Sequence, residues 1–271
     1  MLSVRQLLPA LVPRSLRKGL YGFLAGVLPA QFGTDQRMDR LVRKLTRMTV
    51  CKGPFKGMKY IGIAVGSTYL PKLLGTYEME LHPVVEEIVA GGFDVLANVG
   101  AAEGYYAVGM ARRCPGMRVL AYERDPQGQE AFAQLAQAND ISHIAMLGNC
   151  EPGDLQRAIE GARRALVVCD IEGGELEMLD PGSVPALRNA HILVELHEFI
   201  LKGISETICG RFESTHRIEH IWERPRTIAD FPLKSAYLAL MPNYALLDSM
   251  REWRPERMSW FWMTPLNSSA G

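Results

Sequence analysis

From about Leu81 onward the apolar positions fall into short unbroken runs separated by longer amphipathic stretches. "FDVLANVG" has no strict alternation and ends on glycine, which predicts a strand buried on both faces. "GYYAVGMARRCP" then predicts a helix, "RVLAYERDP" a strand, "GQEAFAQLAQAND" a helix and "SHIAMLGNC" a strand. The series continues with "GDLQRAIEGA" as a helix, "ALVVCDIEG" as a strand, "GELEMLD" through "VPALRNA" as one helix, and "HILVELHEF" as a strand. Ahead of it, "HPVVEEIVAGG" reads as a helix closed by Gly91 and Gly92. Strands alternating with helices imply an α/β fold, a parallel sheet covered on both faces. Beyond it, "STHRIEHIWE" predicts a strand, "PLKSAYLALMPNYALLDSM" mostly a helix, and "RMSWFWMTPL" a last strand. Core and edge packing accounts for Trp260, Phe261 and Trp262, with substrate stacking as the alternative.

The first 80 residues lack this beat and read as an accessory layer, a lid or dimerisation surface, ahead of a main domain over 81–271. "RSLRKGLYGFLAGVLPA" has a basic start and an apolar run too short to span a bilayer. An amphipathic helix packed on the domain is its plainer reading; a signal, a membrane-surface contact and a homodimer stay open. "TDQRMDRLVRKLTR" predicts a helix capped by Thr34 or Asp35, with Met38, Leu41, Val42 and Leu45 on one face. "GPFKGMKYIGIAV", punctuated by Gly53 and Gly57, predicts a hairpin or strand pair.

Composition narrows the partners. With 30 basic and 30 acidic residues the net charge is zero, so no global field draws the chain to nucleic acid. Five scattered cysteines without a CxxC pair fit reduced thiols in a cytoplasmic protein, and the six histidines lack zinc-ligand spacing, so no metal is expected. His216 and His220 would share a face of strand or helix alike, and their spacing alone assigns them nothing.

The chemistry begins where the first strand runs into Gly100 and Gly104. Ligands of open parallel sheets lie beyond the carboxyl ends of strands, and glycine there lets backbone approach a ligand without a Cβ in the way. The second strand ends at Glu123, followed by Arg124, about twenty residues on, where a carboxylate can accept both hydroxyls of a ribose. The order suits an adenosine-containing ligand. A dinucleotide would set its pyrophosphate against Glu103; S-adenosylmethionine, with a sulfonium and an ammonium, suits an acidic loop better.

"NVGAAEGYYAVGMA", "AYERDP" and above all "CDIEGGELEML" followed by "ILVELHEF" resemble the FkbM-type family of S-adenosylmethionine-dependent methyltransferases. The resemblance runs from about Gly53 to Phe199, and "LLGTYEMEL" is similar to the family's lead-in helix. It implies a class I, Rossmann-like sheet of seven strands with the last antiparallel, and methyl transfer usually to oxygen. It also implies a cofactor loop over Asn98, Gly100, Ala101, Glu103, Gly104 and Tyr105, completed by Glu123, Arg124, Asn149 and Asp170. Asn98 departs from the pattern, standing where an acid is usual. His197 is the candidate base, because imidazole titrates near neutrality, and Glu172 stands second. Glu175 reads as a first-turn acid on a helix dipole, and Asn149 as an adenine contact or a turn residue. Tyr77 and Glu78 are candidate substrate contacts. The expected acceptor is the hydroxyl of a small molecule or sugar. A peptide, nitrogen or carboxylate acceptor, or cofactor binding without catalysis, is the alternative.

Overall fold

The computed structural model describes residues 34–234, 238 and 241–267. The segment "RSLRKGLYGFLAGVLPA" lies outside them. Seven strands form one sheet: β1 (Val95–Val99), β2 (Arg118–Tyr122), β3 (Ile144–Leu147), β4 (Ala165–Cys169), β5 (His191–Leu196), β6 (His216–Trp222) and β7 (Ser259–Pro265). Their order is β3-β2-β1-β4-β5-β7-β6, parallel from β3 to β5, with β7 antiparallel to both β5 and β6. This is the class I arrangement. β1, β4 and β5 are buried at every position, which is why they read as unbroken apolar runs, whereas β3, at one sheet edge, exposes alternate residues and β6, at the other, exposes four of its seven.

One face of the sheet carries α1 (Thr34–Thr46), α2 (Tyr69–Leu74), α3 (His82–Ala90), α4 (Tyr105–Arg113) and α5 (Pro126–Ala138). The other carries α6 (Pro152–Ile159), the short α7 (Glu175–Met178) and α8 (Ile204–Phe212). α9 (Asn243–Ser249) returns to the first face. Met38, Val42, Phe55 and Met58 share one core with Leu96 of β1 and Val108 of α4, so the accessory segment packs directly on the sheet domain. No helix among the described residues is long and apolar enough to cross a membrane.

Three elements differ from the sequence expectation. The hairpin around residue 55 reduces to a single antiparallel bridge, Thr49 to Lys59, in a run of turns. Phe55, Met58 and Tyr60 are drawn into the core, so burial rather than pairing sets its path. The helix expected after β4 stops at Met178, because Pro181 and Gly182 follow, and only a 3-10 turn (Pro185–Asn189) resumes it. Near the C-terminus, α9 begins immediately after Pro242 instead of running through it.

Candidate functional site

A cavity of about 740 Å³ opens at the carboxyl ends of β1, β2, β4 and β5. Four of the seven described non-glycine residues with positive φ line it: Glu78 (44°), Ala102 (48°), Glu172 (49°) and Trp253 (54°). Such conformations cost about 1–3 kcal/mol each and concentrate where a site must be held open.

The floor follows from local sequence. β1 ends in Gly100, whose φ of +79° brings the chain so close to the Asp170 carbonyl that a Cβ would lie 1.8 Å from that oxygen. Only glycine fits. Asn98 is 2% exposed and lines the cavity, and its Oδ1 has no hydrogen-bond partner. A buried acceptor left unpaired costs about 1–3 kcal/mol, so Oδ1 is poised for a ligand donor. Glu123, at the end of β2, also lines the cavity; it already accepts the amides of Ala102 and Asp125, both at 2.7 Å. Ala101, Tyr105, Arg124 and Asn149 complete this end, the Asn149 amide donating to Glu151 at 2.6 Å.

Glu103 and Gly104 do not join them. Glu103 is fully buried behind the loop, ion-paired with Lys72 and accepting the Tyr60 hydroxyl (2.8 Å) and the Val65 amide (3.0 Å). Burial alone would raise its carboxyl, but Lys72 and these donors hold it below the usual range. Its part is to tie α2 and the 60–67 loop to the start of α4. Gly104, at φ +90°, would press a Cβ to 2.4 Å from Phe132, so it serves helix packing.

The opposite end gathers His197 and the carboxylates around it. His197, just past β5, is 4% exposed. Its Nδ1 lies 2.6 Å from Oε1 of Glu175, whose other oxygen accepts the Gly173 amide at 2.9 Å. Glu175 thus does more than meet a helix dipole: an acceptor on Nδ1 places the ring proton there and turns Nε2 toward the cavity. Nε2 stands 3.5 Å from Oδ1 of Asp170, too long for a strong bond. Burial would lower the imidazole pKa, but Glu175, Asp170 and Glu172 together raise it above its ordinary value. Asp170 is 44% exposed at its side chain, yet desolvation in the cleft lifts its carboxyl to about 6 against the pull of His197. Glu172 is exposed on the rim.

Beneath His197 lies an ion network that sequence reasoning missed. Arg254 bonds Glu78 at 2.6 Å and Glu252 at 3.0 Å, and also pairs with Glu195 of β5. Arg226 bonds Glu80 at 2.6 Å and Glu252 at 2.5 Å, and the Tyr106 hydroxyl donates to Glu78. Four carboxylates share two guanidiniums, and burial holds Glu195 well above the usual carboxylate range. Tyr77, 8% exposed, lines the cavity with Lys72 at 4.8 Å from its ring centre. One signal for Glu195 was legible: in "VELHE" it stands two residues before His197, on the same strand face. Nothing local marked Arg254 or Trp253. Asp170, Glu195 and His197 offer donor atoms within 4.8 Å of one another, close enough for a cation, which would compete with Arg254 for Glu195. His216 and His220 lie elsewhere on β6: His216 bonds the Ala190 carbonyl at 2.9 Å, and His220 stacks on Trp222. Trp260 and Trp262 are buried in the core, with Trp260 reaching the cavity wall.

No protein-family model matches this sequence, and no curated protein does. Solved structures resemble it in fold at low identity. An rRNA methylase from Streptococcus thermophilus is 11% identical, with 70% of this chain and 98% of that one covered and a TM-score of 0.45. For a precorrin-6y C5,15-methyltransferase from Geobacter metallireducens the figures are 11%, 66%, 88% and 0.42. For TYW2 of M. jannaschii in complex with AdoMet they are 12%, 70%, 78% and 0.38.

Proposed function

We propose that this protein is an S-adenosylmethionine-dependent methyltransferase of the FkbM type, acting on a hydroxyl of a small-molecule acceptor. The observation that carries the reading is the Glu175–His197 pair, which presents Nε2 to the cavity beside Asp170. The cofactor end supports it: an unpartnered acceptor on Asn98, a backbone crossing at Gly100 that no side chain can enter, and a carboxylate at the end of β2. Bound there, S-adenosylmethionine supplies an electrophilic methyl group on a cationic sulfur.

The residues of this chain do the rest. An acceptor hydroxyl that hydrogen-bonds to His197 Nε2 would give up its proton there as its oxygen takes the methyl carbon, whose bond to sulfur breaks with the electron pair staying on sulfur. Glu175 holds the tautomer and stabilises the imidazolium that results. Asp170, beside Nε2, adds to the stabilisation of that imidazolium and can accept a neighbouring hydroxyl of the acceptor. Glu78, Glu195, Glu252 and Arg254 form a buried wall that keeps this end of the cavity rigid and dry, so much of the rate comes from positioning.

The test uses the full chain and tritiated cofactor. His197→Gln should lower turnover by ~10²–10⁴-fold while cofactor affinity stays nearly intact. The wild-type rate should rise with pH, because only neutral imidazole accepts a proton, and its midpoint should lie above the ordinary imidazole pKa. Glu175→Gln should move that midpoint down. Near-normal turnover in His197→Gln sinks the base assignment. A rate abolished by chelator and restored by Mg²⁺ would make His197 a ligand instead.

A further inference from the structure

Trp253 is 58% exposed, although the residues on either side of it are locked inside the molecule. The Glu252 side chain is 3% exposed and the Arg254 side chain 12%, both tied into the buried ion network. The chain accommodates this by placing a bulky residue at φ +54°, a region such residues avoid. Two buried anchors and a strained backbone therefore hold an indole out at the cavity mouth, which it lines. Arg251 lies over this ring, 4.8 Å from its centre. Across the same cavity wall Phe199 is 42% exposed, its ring 5.7 Å from that of His197.

We propose that Trp253 is the platform on which the acceptor ring lies, and that the acceptor is an uncharged, hydroxyl-rich ring, a sugar unit, with hydroxyls directed at Asp170 and Glu172. The proposal rests on the methyl-transfer reading and adds the acceptor to it. Three properties of the mouth select this chemistry. The carboxylates of Asp170 and Glu172 accept hydrogen bonds from hydroxyls and disfavour a phosphate set against them. Arg251 already sets a cation against the indole, so a second cation on that ring meets like charge. A flat arene would stack, but it carries few donors for the carboxylates. A sugar has an apolar C–H face for the indole and donors around its edge.

The experiment incubates the full chain with tritiated S-adenosylmethionine and four probes: methyl α-D-mannopyranoside, methyl α-L-rhamnopyranoside, catechol and an adenylate RNA oligomer. Label is expected on a glycoside. Trp253→Gly accepts φ +54° without strain and removes the ring, while also freeing the backbone there. It should raise KM for that glycoside at least tenfold and leave cofactor affinity by calorimetry within twofold. Trp253→Phe should restore KM to within about threefold. Cofactor binding without a labelled glycoside overturns the sugar assignment, as does label confined to catechol or RNA, and both leave the cofactor reading standing. An unchanged KM in Trp253→Gly overturns the platform. Absence of cofactor binding in the wild type would instead remove the methyl-transfer reading itself.

Discussion

Asn98 carries a particular demand: its Oδ1 is buried and unpaired, while Asp170, Glu195 and Glu78 line the same cavity. An amide there accepts a ligand donor without adding a further negative charge. Asn98→Asp is therefore expected to destabilise the ligand-free protein at neutral pH, by about 1–3 kcal/mol for a carboxylate buried among like charges. Cofactor should recover much of that loss. Thermal unfolding with and without S-adenosylmethionine measures both; an unchanged melting temperature in the free variant would mean that residue 98 does not sense those acids. His197 shows the opposite balance, since three acids around it outweigh its burial.

At the scale of elements, the site depends on how closely the β1–α4 loop approaches the end of β4. Gly100 makes that approach possible, and the Asp170 amide bonding the Val99 carbonyl at 3.0 Å secures it. Gly100→Ala combines left-handed strain with a backbone collision and should cost roughly 3 kcal/mol or more. Gly92→Ala is the control. It has a φ of +65° but nothing within 4 Å of the added Cβ, so only strain of about 1–2 kcal/mol applies. Urea unfolding compares them, and equal losses would refute the close-approach account. The caps around this loop are local in origin. The Asp125 side chain accepts the Gln127 amide at 3.0 Å, and Pro126 opens α5, so the turn after β2 is written in three adjacent residues.

For the whole molecule, histidines kept neutral in the core make one contribution to the response to acid. His191 starts β5 at 2% exposure, its ring packed at 4.8 Å from that of Phe93 and 5.8 Å from that of Trp262. Burial first and then Arg164 lower its pKa to about 4, and burial also lowers those of His82 and His216. The unfolded chain binds these protons more readily than the folded one. Over the drop from about pH 6.5 toward 4 these histidines should therefore remove stability, His191 on the order of 2–3 kcal/mol, while Asp170, raised to about 6, and Glu195 bind protons more readily in the folded chain and return stability over the same range. His197 works in the other direction: its contribution is complete below the ordinary imidazole pKa and is lost as pH rises through its raised value. The difference between urea midpoints at pH 7.5 and pH 5 should move in favour of the acid side in His191→Gln relative to the wild type. Equal differences would move the acid sensitivity elsewhere.

The amino-acid sequence by itself determined the alternation of strands and helices, the glycine crossing after β1, Glu123 at the end of β2 and His197 beyond β5. Each is a local property: a strand buried on both faces must be apolar throughout, a tight approach needs glycine, and a strand end follows from where the apolar run stops. Only the tertiary structure decided which charges meet. Glu103 stands in the loop sequence beside Gly104, yet Lys72, brought against it from 31 residues away, holds it behind the loop. Arg254 reaches Glu78 across 176 residues, and no local pattern encodes that pairing. Glu175 bonds His197 because β4 and β5 are neighbours in the sheet. A buried charge must find an opposite partner wherever the chain crossings deliver one, so the partners emerge only when the sheet has closed and its covering segments have packed.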